Sequence, residues 1–280
     1  LILSGDHVYK MDYNVLYAFH RANRALLTVA VTEVPEQDVN QFGILETEPN
    51  GRVTAFKEKP KGPVTSRMAS MGVYLFDREA LIRWLVEDAG MSGSTHDFGK
   101  DILPRLVARG EGVFAYQFRD YWQDVGTLDS FYEANLQFLG DRPPLDLHDP
   151  SWVIHTQSAD RAPVRVEHGA RVVHSMLANG CRVAGEVVNS VLFPGVTVMP
   201  GAVVRDSIVM HDTLIGPGAV LDRAILDKEV IIGGGSEDGF GGGRLERERL
   251  AEIAGFLGAG FLEPDPFRHL GGETAAEQGR

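Results

Sequence analysis

The sequence is short of several things, and each shortage narrows what the chain can be. It holds one cysteine in 280 residues, Cys181, so an internal disulfide is excluded and the chain suits a reducing cytosol; a cytoplasmic location is expected. Cys181 stands in an apolar-patterned stretch and reads as a small core residue rather than a reactive thiol. No apolar run approaches the roughly eighteen residues that a membrane-spanning helix needs, so no membrane partner is expected. Positive charge is scarce: 27 Lys and Arg face 39 Asp and Glu, a formal net charge of −12, and no basic cluster stands out. Such a chain is repelled overall by nucleic acid and by anionic membranes, which sets both aside as partners. A few cationic side chains converging with a metal can still hold a nucleotide phosphate. Hydrophobic content of 44% and charged content of 24% are ordinary for a globular protein, and the length allows two domains.

Up to about residue 140, strand and helix patterns alternate. Leu1-Ile2-Leu3-Ser4-Gly5-Asp6 reads as a buried strand delivering a carboxylate at its first turn, and the start, lying inside a strand, looks truncated. A helix is expected over 12–24 and an apolar strand, buried on both faces, over 26–34. Strands 44–48 and 52–58 flank Asn50-Gly51, which predicts a type I′ hairpin. A strand over 71–76, helices over 78–88 and 98–109, a strand over 113–118 and a helix over 128–139 complete an α/β sheet domain at 1–140. Pro143-Pro144 and Asp149-Pro150 mark a linker over 141–163.

The period then changes. Ser175-Met176-Leu177, Ser190-Val191-Leu192, Ser207-Ile208-Val209 and Ala224-Ile225-Leu226 recur at about one coil's spacing, interleaved with Gly-Ala/Cys/Val-x-Val runs such as Gly180-Cys181-Arg182-Val183. Short β runs with glycine corners and no hairpin turns predict a parallel β-helix over 164–232, in preference to a β-sandwich. That architecture serves many functions and names none. Residues 233–280 break the pattern, with Gly233-Gly234-Gly235 and Gly241-Gly242-Gly243; they are expected to lack order apart from a short helix over 244–254.

The chemistry has several candidates, each with a plainer alternative. Asp6 follows the opening apolar run, and Asp124 in Tyr121-Trp122-Gln123-Asp124-Val125-Gly126-Thr127 precedes a helix. Two carboxylates from separate strand ends can share a divalent metal that bridges phosphates, or be a turn aspartate and a helix-start aspartate. Glu58-Lys59-Pro60 offers an acceptor for sugar hydroxyls beside a phosphate-binding ammonium, or a solvated strand-end pair. Ser70-Met71-Gly72 offers a hydroxyl and a close backbone approach. His96-Asp97-Phe98-Gly99-Lys100-Asp101 is a charged substrate loop or an ordinary helix start. His7 has no partner histidine at ligand spacing and reads as a structural hydrogen-bonding residue.

In order, these segments resemble one family. Ser4-Gly5-Asp6-His7-Val8-Tyr9, Phe42-Gly43, Phe56-Lys57-Glu58-Lys59-Pro60, Ser70-Met71-Gly72-Val73-Tyr74, His96-Asp97-Phe98-Gly99-Lys100-Asp101 and Trp122-Gln123-Asp124-Val125-Gly126-Thr127 are similar in sequence and spacing to the bacterial glucose-1-phosphate adenylyltransferases, from residue 1 to about 232. The resemblance implies a Rossmann-like nucleotidyltransferase sheet domain, incomplete here, followed by a left-handed parallel β-helix. It implies transfer of an adenylyl group from ATP to glucose 1-phosphate with Mg2+, in a homotetramer answering to allosteric metabolite effectors. Asp6 and Asp124 are implied as the catalytic, metal-binding pair, and Gly43, Glu58, Lys59 and Ser70 as glucose 1-phosphate contacts. Tyr74, Asp97, Lys100 and Trp122 are implied as further site residues. The family's Gly-x-Gly-Thr-Arg-Leu phosphate loop is absent from these residues, so the chain as written is expected not to turn over ATP. A uridylyl or thymidylyl enzyme and a non-catalytic regulatory subunit are the alternatives.

Overall fold

Apolar side chains decide the layers of the first unit, Leu1–Ser130. In the computed structural model, which describes residues 1–155 and 160–234, it runs β1 (His7–Tyr9), α1 (Tyr13–Ala22), β2 (Leu27–Glu33), β3 (Gly43–Thr47), β4 (Val53–Glu58), β5 (Met68–Phe76), α2 (Arg78–Ala89), α3 (Leu103–Ala108), β6 (Val113–Gln117) and β7 (Trp122–Asp124). The expectations for 235–280 lie outside the described residues. Successive residues of β2 point to opposite faces. Leu27, Val29 and Val31 pack with Trp84 of α2 and with Leu103 and Leu106 of α3, while Ala30 packs with Leu16 of α1. Fully burying each such side chain contributes about 1.5–3 kcal/mol. Helices therefore cover both faces, as the doubly apolar β2 predicts. Asp12 and Asp77 start α1 and α2 by accepting the backbone N–H of Asn14 and Ala80.

The five-stranded sheet has the order β4-β3-β5-β2-β6, with β2–β6 parallel and the other pairs antiparallel. β2 makes the sheet mixed, antiparallel to β5 and parallel to β6, and the β3–β4 hairpin extends it beyond β5. Its turn differs from the type I′ expectation. Gly51 N–H donates to Glu48 O at 2.9 Å, so Pro49 occupies the second position of the turn, where its fixed negative φ suits type I. Gly51 follows at φ +85°, and Glu48 N–H donates to Arg52 O at 2.9 Å, closing a three-residue loop; the ladder's register shifts further in, between Glu46 and Thr47.

The opening apolar run is a second departure. Ile2 bridges Tyr74 of β5, and Ser4 N–H donates to Gly72 O at 3.0 Å, but 1–4 form no extended strand. The strand falls after Asp6, as β1, which pairs with β7. The expected helix over 98–109 is divided into a π-helical turn, Phe98–Ile102, and α3, with Asp97 capping the turn and Pro104 opening α3.

In the second unit, three parallel sheets stack into a β-helix, from Arg165–Val166 to Ile231–Ile232. Its core includes Cys181, Val183, Leu192, Val204 and Ile215. Burial pushes the Cys181 thiol up, consistent with its reading as core. One corner turns through His174, Asn189, Asp206 and Arg223, all near φ +50°. The recurring serines form a ladder: Ser175, Ser190 and Ser207 Oγ accept the N–H of Ser190, Ser207 and Ala224, each at 3.1 Å. Each serine also donates to the carbonyl two residues back. Among the described residues no helix is long and apolar enough to cross a membrane.

Candidate active site

A bulge in β5 builds the first half of the site. Between Val29 and Val31 the β2–β5 register shifts, so that Met71, Gly72 and Val73 lie opposite Ala30 alone. Gly72 takes φ +64°, and a Cβ there would stand 3.0 Å from Ser4 Cβ. The bulge frees two carbonyls from the ladder. Gly72 O accepts from Ser4, and Met71 O lies 2.7 Å from His7 Nδ1, so His7 carries its proton on Nδ1 and donates there. Ser4 Oγ then donates to Asp6 Oδ1 at 2.7 Å.

The β1–β7 pairing brings up the second carboxylate. His7 is opposite Asp124, and Val125 N–H donates to Asp6 O at 3.0 Å. His7 Nε2 lies 3.6 Å from Asp6 Oδ1 and 3.8 Å from Asp124 Oδ2, so the two acids, more than a hundred residues apart in sequence, face one imidazole edge. Asp124 Oδ1 accepts the Gly126 N–H at 2.7 Å. A Cβ at Gly126 would fall 2.9 Å from Asp124 Oδ1 and 3.3 Å from Asp6 Oδ2, so glycine keeps the space between the acids open. The Asp6 and Asp124 side chains are 57% and 33% exposed, which leaves them reachable by a ligand. Among the described residues no group of three or more His, Cys, Asp or Glu is placed as a metal cage. Two carboxylates with room for water and phosphate oxygens suit a hard divalent cation, which is commonly held that way.

Glu58 is the centre of the second half. It pairs with Gly43 across the hairpin and lies against the 97–100 turn, where a Cβ at Gly99 would come within 2.7 Å of Glu58 Oε2. Burial pushes the Glu58 carboxyl up; Lys59 opposes that shift, Asp97 adds to it and Lys100 opposes it. Tyr74 belongs to the same group: its hydroxyl is 3.2 Å from Ser70 Oγ, its ring is 5.8 Å from that of Phe98, and burial raises its hydroxyl pKa. Trp122 joins the halves, with ring centroids 5.1 Å from His7 and 5.3 Å from Phe42, the neighbour of Gly43. Lys59, at φ +42°, donates its backbone N–H to Phe42 O, and its side chain is exposed, as is that of Lys100.

The structure thus gathers Asp6, Asp124 and Trp122 around His7, and Gly43, Lys59, Ser70, Tyr74, Asp97 and Lys100 around Glu58. The hydrogen bond to Met71 agrees with the structural reading of His7. Sequence reasoning missed three supports: Ser4, whose two-residue spacing from Asp6 was the available signal; Gly99, which makes room for Glu58; and Asp101, whose Oδ2 accepts the backbone N–H of Thr95 and Asp97.

Residues 1–140 match the family described as nucleotidyl transferase, and 161–245 match the GlmU-like, C-terminal hexapeptide family, which accords with a left-handed β-helix. The chain is 44% identical over 232 residues to a glucose-1-phosphate adenylyltransferase of Desulforamulus reducens, covering 83% of this chain and 58% of the relative. It is 42% identical over 241 residues to the enzyme of that name from Acetivibrio thermocellus, covering 86% and 56% respectively. A third, from Bacillus cereus strain Q1, is 43% identical over 239 residues, covering 85% and 62%. The chain therefore spans about three fifths of the length of these curated relatives.

Proposed function

The chain belongs to the nucleotidyl transferase family, and from that premise we propose that the native protein transfers an adenylyl group from ATP to glucose 1-phosphate, giving ADP-glucose and pyrophosphate for glycogen synthesis. The β1–β7 pairing carries the reading, because it sets Asp6 beside Asp124 next to the Glu58 group. The names of the relatives supply the adenylyl donor and the sugar phosphate.

Enzymes of this family generally use a divalent cation, here proposed as Mg2+ held by Asp6 and Asp124. When bound, it supplies neutralisation of phosphate charge. Ser4 and Gly126 orient the two carboxylates through the hydrogen bonds they donate. Glu58 accepts hydrogen bonds from sugar hydroxyls, with Gly43, Ser70 and Tyr74 shaping the pocket around the ring, and Lys59 holds the sugar phosphate. Asp97, Lys100 and Trp122 complete its walls. A phosphate oxygen of glucose 1-phosphate attacks the α-phosphorus of ATP, and pyrophosphate leaves with the bonding electron pair. No group on the protein forms a covalent bond; positioning and electrostatics supply the catalysis.

Pyrophosphate release by the native protein tests the reading, with ATP and UTP compared in parallel. Turnover with ATP and glucose 1-phosphate is expected, and turnover that prefers UTP contradicts it. The same proposal includes a cytoplasmic homotetramer under allosteric metabolite control. Light scattering reads the assembly: four copies are expected, and a monomer contradicts that part.

A further inference from the structure

Asp88 is a carboxylate where helix patterning would place none. It sits on α2 with 2% of its side chain exposed, although Ile82, Leu85 and Val86 of the same helix are exposed. A buried charge is tolerated only when paired and hydrogen-bonded, and Asp88 is surrounded by donors. Ser94 Oγ donates to Oδ1 at 2.8 Å, the Arg105 guanidinium donates to the same oxygen, and His96 Nδ1 donates to Oδ2 at 2.8 Å. Arg105 also contacts Met91 Sδ. The Arg105 and His96 hydrogen bonds, then that of Ser94, hold the Asp88 carboxyl down to about 2.

Two of those donors belong to the segment that leads into the candidate site. His96, at φ +61°, is followed by Asp97. Thr95 and Asp97 N–H are fixed on Asp101 Oδ2, both at 3.1 Å, and Asp97 Oδ1 accepts the N–H of Gly99 and Lys100, each at 2.8 Å. Gly99 in turn lies against Glu58. Hydrogen bonds and the chain itself thus link the interior of α2 to Gly99, whose lack of a side chain leaves room for the Glu58 carboxylate. Arg105 joins α2 to α3 through Asp88, and Ser94 and His96 tie the same carboxylate to the segment between the two helices.

We propose that Asp88 is a positioning residue for the sugar-phosphate site: it anchors the 94–101 segment so that Asp97, Gly99 and Lys100 stand fixed against Glu58. This rests on the reading of that site as the place of glucose 1-phosphate. Two variants of the full chain test it, Asp88→Asn and the double variant Ser94→Ala/His96→Ala, which keeps the Asp88–Arg105 pair and so the α2–α3 joint. The measurements are calorimetric titration with glucose 1-phosphate, amide hydrogen exchange of 97–101 in the free chain, and the thermal midpoint. For the double variant, at least a fivefold weaker affinity and at least tenfold faster exchange at Gly99 and Lys100 are expected, with a smaller fall in thermal midpoint than in Asp88→Asn. Unchanged affinity and exchange in the double variant overturn the proposal, even if Asp88→Asn fails to fold. If the parent chain itself binds no glucose 1-phosphate, the substrate reading fails, and the exchange data still decide whether Asp88 anchors the segment.

Discussion

Glu58 shows how much a single residue's surroundings decide. Burial raises its pKa above the ordinary 4.5. As a carboxylate it can accept hydrogen bonds from the hydroxyls of a sugar, and as a neutral acid it loses acceptor capacity. Affinity for glucose 1-phosphate is therefore expected to fall on acidification with a midpoint above 4.5, and Glu58→Gln to be weaker throughout and to lack that acid limb; titrations across pH check both. Gly99→Ala places a methyl against Glu58 Oε2, the mobile end of a side chain, so the fold yields at little cost while the acceptor is displaced. A loss of affinity of roughly tenfold is expected with a thermal midpoint close to the parent's, because small misplacements at a site are amplified in function. Glu58 was visible in the sequence through Glu58-Lys59-Pro60. Gly99 was not, since only the folded turn brings it to a carboxylate forty residues away.

At the scale of elements, period and turn chemistry were legible, and competition between local rules was not. The two apolar faces of β2 and the alternation of strand and helix patterns gave the layered sheet. Asn50-Gly51 located the hairpin, but Pro49 took the second turn position and changed its type. The opening run read as a central strand because three apolar residues precede Gly5; Ile2 and Ser4 pair with the bulged end of β5 and leave Leu1 and Leu3 exposed. The bulge itself, which makes the carbonyls of Met71 and Gly72 available, had only Gly72 as a sign. In the β-helix the serine repeat was plain, and its reason is the ladder of hydroxyls between coils. Ser207→Ala strands the Ala224 N–H in the interior, while the Arg205 carbonyl keeps the Arg223 N–H, and a loss of about 1–3 kcal/mol is expected in denaturant unfolding. For α2, Asp88 has its carboxyl lowered from 3.8 to about 2, so its stabilising contribution is complete above 3.8 and is lost as pH falls towards 2. Asp88→Asn should flatten the acid limb of the stability curve in that window, as followed by circular dichroism.

Over the whole molecule, a sheet unit that gathers two acids and a half-buried glutamate is followed in sequence by a β-helix built from one repeating coil. The repeat announced its architecture without any chemistry, and the sheet unit announced its chemistry only when six separated motifs were taken in order. A net charge of −12 fits this division: an anionic sugar phosphate needs local cations and a metal, because the protein's overall field repels it. The supports of the site, from Ser4 and His7 to Asp88, stayed hidden because their partners lie far away in sequence. The most direct test is one titration, glucose 1-phosphate into the full chain with Mg2+ present, run beside Glu58→Ala and the exposed control Arg78→Ala. Saturable one-to-one binding, weakened at least tenfold by Glu58→Ala and unchanged by Arg78→Ala, is the predicted result. Absence of saturable binding, or equal affinity in the Glu58 variant, would contradict it.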